Sequence, residues 1–156
     1  MGVISNGTTL LDAGALDSGV ATGSLTLIST QTASNSATVS FTSGIDSTYK
    51  EYIFKFINVH PATNSTMFGF QVDTGTNTSY NQTITSTTFR AYHNEAGGST
   101  SLGYASGDDQ AQGTAMQPIA LISTSNDDSA SGELYIFNPS SSVFVKHFMA
   151  TSNGVK

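Results

Sequence analysis

The clearest pattern in the chain is EYIFKFINVHPAT, residues 51–63. Tyr52, Phe54 and Phe56 occupy one set of alternate positions. Ile53, Lys55, Ile57 and Val59 occupy the other. Period two predicts a strand with one aromatic and one mostly aliphatic face. Apolar residues on both faces predict a central place in a sheet, with the aromatic face against a second sheet. Pro61 closes the strand, because proline cannot continue a central ladder.

The same alternation recurs in shorter pieces. GSLTLISTQTA sets Leu25 and Leu27 on one face, and SATVSFTS sets Ala37, Val39 and Phe41. STMFGFQVD puts Phe68, Phe70 and Val72 inward. Further strands are expected over residues 83–92 and 118–123, and within SGELYIFNP and SSVFVKHFMAT. The last two flank Asn138-Pro139-Ser140-Ser141, strong turn chemistry, and predict an antiparallel hairpin. A long glycine-rich insertion covers residues 94–116. The expected core is Tyr52, Phe54, Phe56, Phe68, Phe70, Tyr135, Phe137, Phe144 and Phe148. Eight short strands with turns between them predict an all-β fold, an antiparallel β-sandwich of jelly-roll type. Residues 1–23 are small, polar and dotted with glycine, and predict an extended N-terminal arm. The sandwich domain is then 24–156, with the strand count open at its C-terminal end.

Composition supports this picture. There are 23 Ser, 22 Thr and 15 Gly, whereas charged residues make up 10%. An average globular protein carries about 25% charged residues. Thr favours strands, and Ser and Gly favour turns. The five cations, Lys50, Lys55, Arg90, Lys146 and Lys156, are scattered in a chain of net charge −6. That argues against a nucleic-acid partner. Cysteine is absent, so stability has to come from packing or assembly. No apolar run approaches membrane-spanning length, and the N-terminus lacks the pattern of a signal peptide.

Candidate chemistry is sparse. Asp73-Thr74-Gly75-Thr76 follows an apolar strand, the pattern of an aspartic protease built from two chains. The supporting apolar-apolar-Gly strand is missing, and a polar turn explains the same residues. His60, His93 and His147 show no metal-binding spacing. The acids Glu95, Asp108, Asp109, Asp127 and Asp128 lie in loops without the rhythm of a calcium loop, and solvated acids are the default reading. No catalytic, cofactor or metal residues are assigned. Tyr80, Tyr92 and Tyr104 are the candidate glycan contacts, since a chain without Trp must build an aromatic platform from tyrosine.

Several stretches resemble one family in the same order along nearly the whole chain: ISNGTTLLDAGAL, EYIFKFINVHPAT, TTFRAYHNEAGGSTSLGY and SGELYIFNPSSSVFVKHFMATSNG. The family is an all-β group of virion structural proteins of tailed phages, especially marine ones, of tail-fibre or capsid-associated type. The resemblance implies a non-enzymatic surface protein in the virion. Its partners would be other virion proteins, reached through residues 1–23, and further copies of itself. The alternative is a carbohydrate-binding or receptor-binding module that meets a host surface glycan. The remote alternative is a dimeric aspartic protease acting through Asp73.

Overall fold

A computed structural model of the chain describes residues 3–12, 15–16, 25–75, 77–94, 96–125 and 127–155. Strands are its only regular elements, all pairing antiparallel, and no helix occurs among the described residues. The chain divides into two units, Met1–Gly44 and Ile45–Lys156.

The first unit opens with β1 (Val3–Ser5), β2 (Thr8–Asp12) and β3 (Ala15–Leu16), in the order β1-β2-β3. Asn6 and Gly7 both have positive φ, 47° and 79°, as a tight hairpin turn of mirror-image type requires. Where an extended arm was expected, the described residues therefore double back as a meander. Residues 25–44 contain no strand, although Leu25, Leu27, Val39 and Phe41 alternate as strand residues do. Alternation alone does not make a strand, since its backbone groups need a partner ladder. These four side chains remain exposed.

The second unit holds β4 (Glu51–Val59), β5 (Thr66–Phe70), β6 (Phe89–His93), β7 (Thr100–Tyr104), β8 (Gln117–Ile122), β9 (Ala130–Phe137) and β10 (His147–Gly154). Its sheets are β10-β9-β4, β5-β8 and β6-β7. The expected hairpin around Asn138-Pro139 forms, with His147 opposite Phe137 and Gly154 opposite Ala130. The strand β4 is not central: β9 takes that place and β4 is an edge. Two apolar faces misled here. Ile57 is exposed on the aliphatic face, and Lys55 reaches across to Glu133, 2.9 Å away.

Register decides what is buried. Tyr52 faces Ile136, Phe54 faces Leu134 and Phe56 faces Gly132. On the other side of β9, Phe148 faces Ile136 and Ala150 faces Leu134. These residues share one face, and it meets the β5–β8 ribbon. Phe56 lies against Phe68 with ring centroids 5.0 Å apart, and Phe70 against Phe148 at 5.0 Å. Ser152 Oγ donates to the Ile119 carbonyl at 2.8 Å. Ala120, Ile122 and Ala130 form the buried cluster, flanked by Val59 and Phe68.

The expected core therefore needs two corrections. Tyr135 and Phe137 point to the opposite face from Leu134 and Ile136, where they stack on each other, half-buried. Phe144 lies in the loop before β10 and is 71% exposed. The first error comes from period two, which groups side chains by face without saying which face is inward; the second comes from reading as strand a stretch that pairs with no ladder.

Tyr52 is also a polar anchor. Its hydroxyl accepts from the Asp46 N–H at 3.0 Å and stands 3.1 Å from the Asp46 carbonyl and carboxylate oxygens. The Thr48 side chain, the Thr48 N–H and Tyr52 together hold the Asp46 carboxyl below its usual range.

Candidate functional site

The expected glycan-contact residues lead to the β6–β7 hairpin. Its turn is tied by Asn94: the Asn94 N–H donates to the Ser99 carbonyl, and the Ser99 N–H donates to Asn94 Oδ1, both at 3.0 Å. Gly97, with φ 69°, completes the reversal. Pairing sets Phe89 opposite Tyr104, Arg90 opposite Gly103, Ala91 opposite Leu102, and Tyr92 opposite Ser101. One face then carries Phe89, Ala91, Leu102 and Tyr104; the other carries Arg90, Tyr92, Ser101 and Gly103.

Arg90, Tyr92, Ser101, Gly103, Tyr104 and Ala105 line a shallow cleft of about 80 Å³. The Arg90 guanidinium sits 5.8 Å from the centre of the Tyr92 ring, within cation–π range. It also lies 3.6 Å from Asp108. The Tyr104 hydroxyl donates to Asp109. The loop bearing both aspartates is held from below by Gln117, which is buried. Gln117 Nε2 donates to the Asp108 carbonyl at 2.9 Å, and Ser86 Oγ donates to Gln117 Oε1 at 2.6 Å. Tyr92 and Tyr104 both border the cleft, but their side chains leave the hairpin on opposite faces, and the Tyr104 ring packs on Phe89 at 5.7 Å. Tyr80 stands in a different loop and does not line this cleft.

Asp73 explains the position of Tyr80. Its carboxylate accepts from the Thr74 N–H at 2.8 Å, the Tyr80 N–H at 2.7 Å and Gln82 Nε2 at 3.3 Å. Tyr80 is a bulky residue at φ 47°, and this staple holds it there. Asn in place of Asp cannot accept at both oxygens. Asp73→Asn is expected to lower stability by about 1 kcal/mol, read as a fall in melting temperature. An unchanged melting temperature would mean that the Asp73 staple does not hold the loop.

His60 Nδ1 meets the Asp128 carbonyl at 2.6 Å, and His93 Nδ1 the Asn94 carbonyl at 3.1 Å. Asp128 is buried and accepts from Ser123 Oγ. Ser123, His60 and Asp128 are neighbours without being a triad, because the serine bonds the carboxylate directly and the histidine bonds a main-chain oxygen. Glu95 lies outside the described residues. Among the described residues, no three His, Asp or Glu side chains gather as a metal would need.

On the outer face of the three-stranded sheet, Lys55, Glu133 and Tyr135 form a chain. The Tyr135 hydroxyl donates to Glu133 at 2.6 Å. That bond, followed by Lys55, pulls the Glu133 carboxyl down, and Glu133 in turn raises Lys55 and Tyr135. A second groove, of about 350 Å³, runs between Thr85–Thr87 and residues 146–150 at the free edge of β10.

No protein-family model matches this chain, and neither a curated protein nor a solved structure matches it. The sequence signal for the cleft was present in FRAYH, whose alternation puts Arg90 and Tyr92 on one face. Nothing in the sequence places Asp108 and Asp109 beside it.

Proposed function

We propose that this chain is a non-enzymatic structural protein of a tailed-phage virion. It would be a surface module of fibre or decoration type on tail or capsid, assembling with other copies of itself. The observation that carries this reading is apolar surface left uncovered. Leu102 is 80% exposed and Val143 79%, and Phe89, Phe144, Val145 and Ile57 are exposed to a similar degree. The Phe89–Ala91–Leu102–Tyr104 face carries no charge. A two-stranded ribbon is marginal by itself in water, so such a face calls for a covering surface. The low charge of the chain lets like subunits approach closely. The resemblance supplies the virion setting, and neighbouring copies would complete the sandwich.

Residues 1–23 are assigned the attachment role. Deleting residues 1–20 is expected to leave the unit Ile45–Lys156 folded and to abolish incorporation into particles. Circular dichroism of the truncated protein and antibody labelling of particles read the two halves of that expectation. Normal incorporation of the truncated chain would remove the arm from the scheme.

A further inference from the structure

At the free edge of β10 the three-stranded sheet stops without a neighbour. The phase of its ladders fixes which main-chain groups are left over. Asn138 N–H donates to the Lys50 carbonyl, and Val155 N–H to the Ser129 carbonyl. Even-numbered residues of β9 thus bond β4, and odd-numbered residues of β9 and β10 bond each other. The N–H and C=O groups of Phe148 and Ala150 therefore point out of the free edge. No described bond outside the ladder engages them. At Ser152 the edge lies against β8, through the bond to the Ile119 carbonyl. Over residues 146–150 it opens on the groove of about 350 Å³, with Thr85–Thr87 as the far wall. That volume equals about a dozen waters, enough for an aromatic ring. Just before β10, Val143, Phe144 and Val145 are 79%, 71% and 76% exposed. An unpaired edge beside bare apolar side chains is a template for a second strand.

We infer that two copies of this chain pair antiparallel through residues 143–151 about a two-fold axis, each placing Phe144 in the other's groove. This pairing rests on the self-assembly reading above and gives it a surface. Register follows from size, since the Phe144 ring needs the smallest residue of the rim, Ala150, opposite it. Phe144 then faces the partner's Ala150, Lys146 faces the partner's Phe148, and the two copies of His147 meet at the axis. The spare groups of Phe148 and Ala150 are then in phase with the main chain of Lys146 and Phe144. Val145 falls beside the partner's Met149, which is 54% exposed on the outer face. In the single chain the Phe144 segment is bent, because Val143 N–H and Phe144 N–H donate to Ser141 Oγ at 3.2 and 3.0 Å. Pairing exchanges the Phe144 bond for a ladder bond. The Lys146 ammonium has the Ser141 carbonyl, 2.5 Å away, as its own partner. A two-fold axis makes the patch self-complementary, with the same loop given and the same groove filled on both sides. A buried Phe contributes about 150–250 Å². Two such rings, their valine neighbours and the walls they cover bring the buried total to roughly 1,000 Å² or more, where specific interfaces begin.

The chain has no cysteine, so a single introduced thiol reports the pairing cleanly. At the axis the two copies of residue 147 form a non-hydrogen-bonded pair with Cα atoms about 4.5 Å apart, within reach of a disulfide. The full chain carrying His147→Cys is expected to form a covalent dimer on mild oxidation with diamide, read on a non-reducing gel. Thr151→Cys is expected not to, because eight residues, about 26 Å, separate the two copies of that position along the paired strands. Phe144→Asp should abolish the His147→Cys cross-link and weaken self-association by about tenfold or more in sedimentation, since it buries a carboxylate without a partner. Its melting temperature as a monomer should match the parent's, because Phe144 is exposed. Equal cross-linking at positions 147 and 151 would overturn the pairing, as would a His147→Cys cross-link that survives Phe144→Asp. Self-association without that cross-link would overturn this edge and leave assembly to another surface. A parent chain that stays monomeric at every concentration would overturn self-assembly itself, and this pairing with it.

Discussion

Ile122→Ala is expected to lower the stability of this protein by about 2–5 kcal/mol, a large share of the 5–15 kcal/mol typical of a domain. Ile122 is 1% exposed and sits in the cluster with Ala120 and Ala130, under Val59 and Phe68. Two of its neighbours are already alanines, so they cannot fill the space, and only Val59 and Phe68 could shift toward it. The cavity left behind adds to the lost transfer free energy. Melting temperature should fall by roughly 4–20 °C for a chain of this size. Phe144→Ala is the contrasting variant. Phe144 is a larger apolar residue, yet it is exposed in the loop before β10. Its removal should leave the melting temperature of the isolated chain where it was and reduce self-association, read by sedimentation. An equal loss of melting temperature in the two variants would mean that the core drawn around Ile122 is misplaced.

A single methyl group at Gly132 is expected to be nearly as harmful. Gly132 lies in β9, the central strand, opposite Phe56 on one side and Ser152 on the other. A Cβ there would stand 2.2 Å from the Thr151 carbonyl oxygen and 2.6 Å from Phe56 Cζ. The ring can rotate away; the Thr151 oxygen is backbone, held in the β9–β10 ladder. Relief requires that ladder to open, so Gly132→Ala should cost about 1–3 kcal/mol or more. The Phe56 ring lies over the space that the missing side chain leaves, and it carries the contact to Phe68. Combining Gly132→Ala with Phe56→Ala separates the two collisions. If the ring dominates, the double variant is less unstable than the sum of the singles. Full additivity would assign the damage to the backbone contact, and a wild-type melting temperature for Gly132→Ala would contradict the register itself.

The strand segments were legible where alternation was long and flanked by turn residues. Glu51–Val59, Thr66–Phe70, Gln117–Ile122 and Ala130–Phe137 fall where the pattern predicted them. Thr100–Tyr104 was hidden in the glycine-rich insertion, since TSLGY has little apolar alternation and becomes a strand only by pairing with Phe89–His93. The opposite error occurred at residues 25–44 and at Val143–Val145. Both stretches alternate, and neither has a partner ladder. For the candidate site, Tyr92 and Tyr104 were visible as residues, but Tyr80 was grouped with them although Asp73 ties it into another loop.

By itself, the sequence determined the all-β class and the antiparallel hairpin around Asn138-Pro139. It also set a chain with 10% charged residues, a net charge of −6 and, without cysteine, no disulfides. Each of these follows from local properties: side-chain shape, turn chemistry, residue counts. Tertiary structure alone decided that β9 rather than β4 is central, and that Leu134 and Ile136 rather than Tyr135 and Phe137 face inward. It also brought Asp108 to Arg90 and Asp109 to Tyr104. Those outcomes depend on which strands pair and in what register. Period two is unchanged by exchanging the two faces of a strand, so only the partner across the ladder can tell them apart.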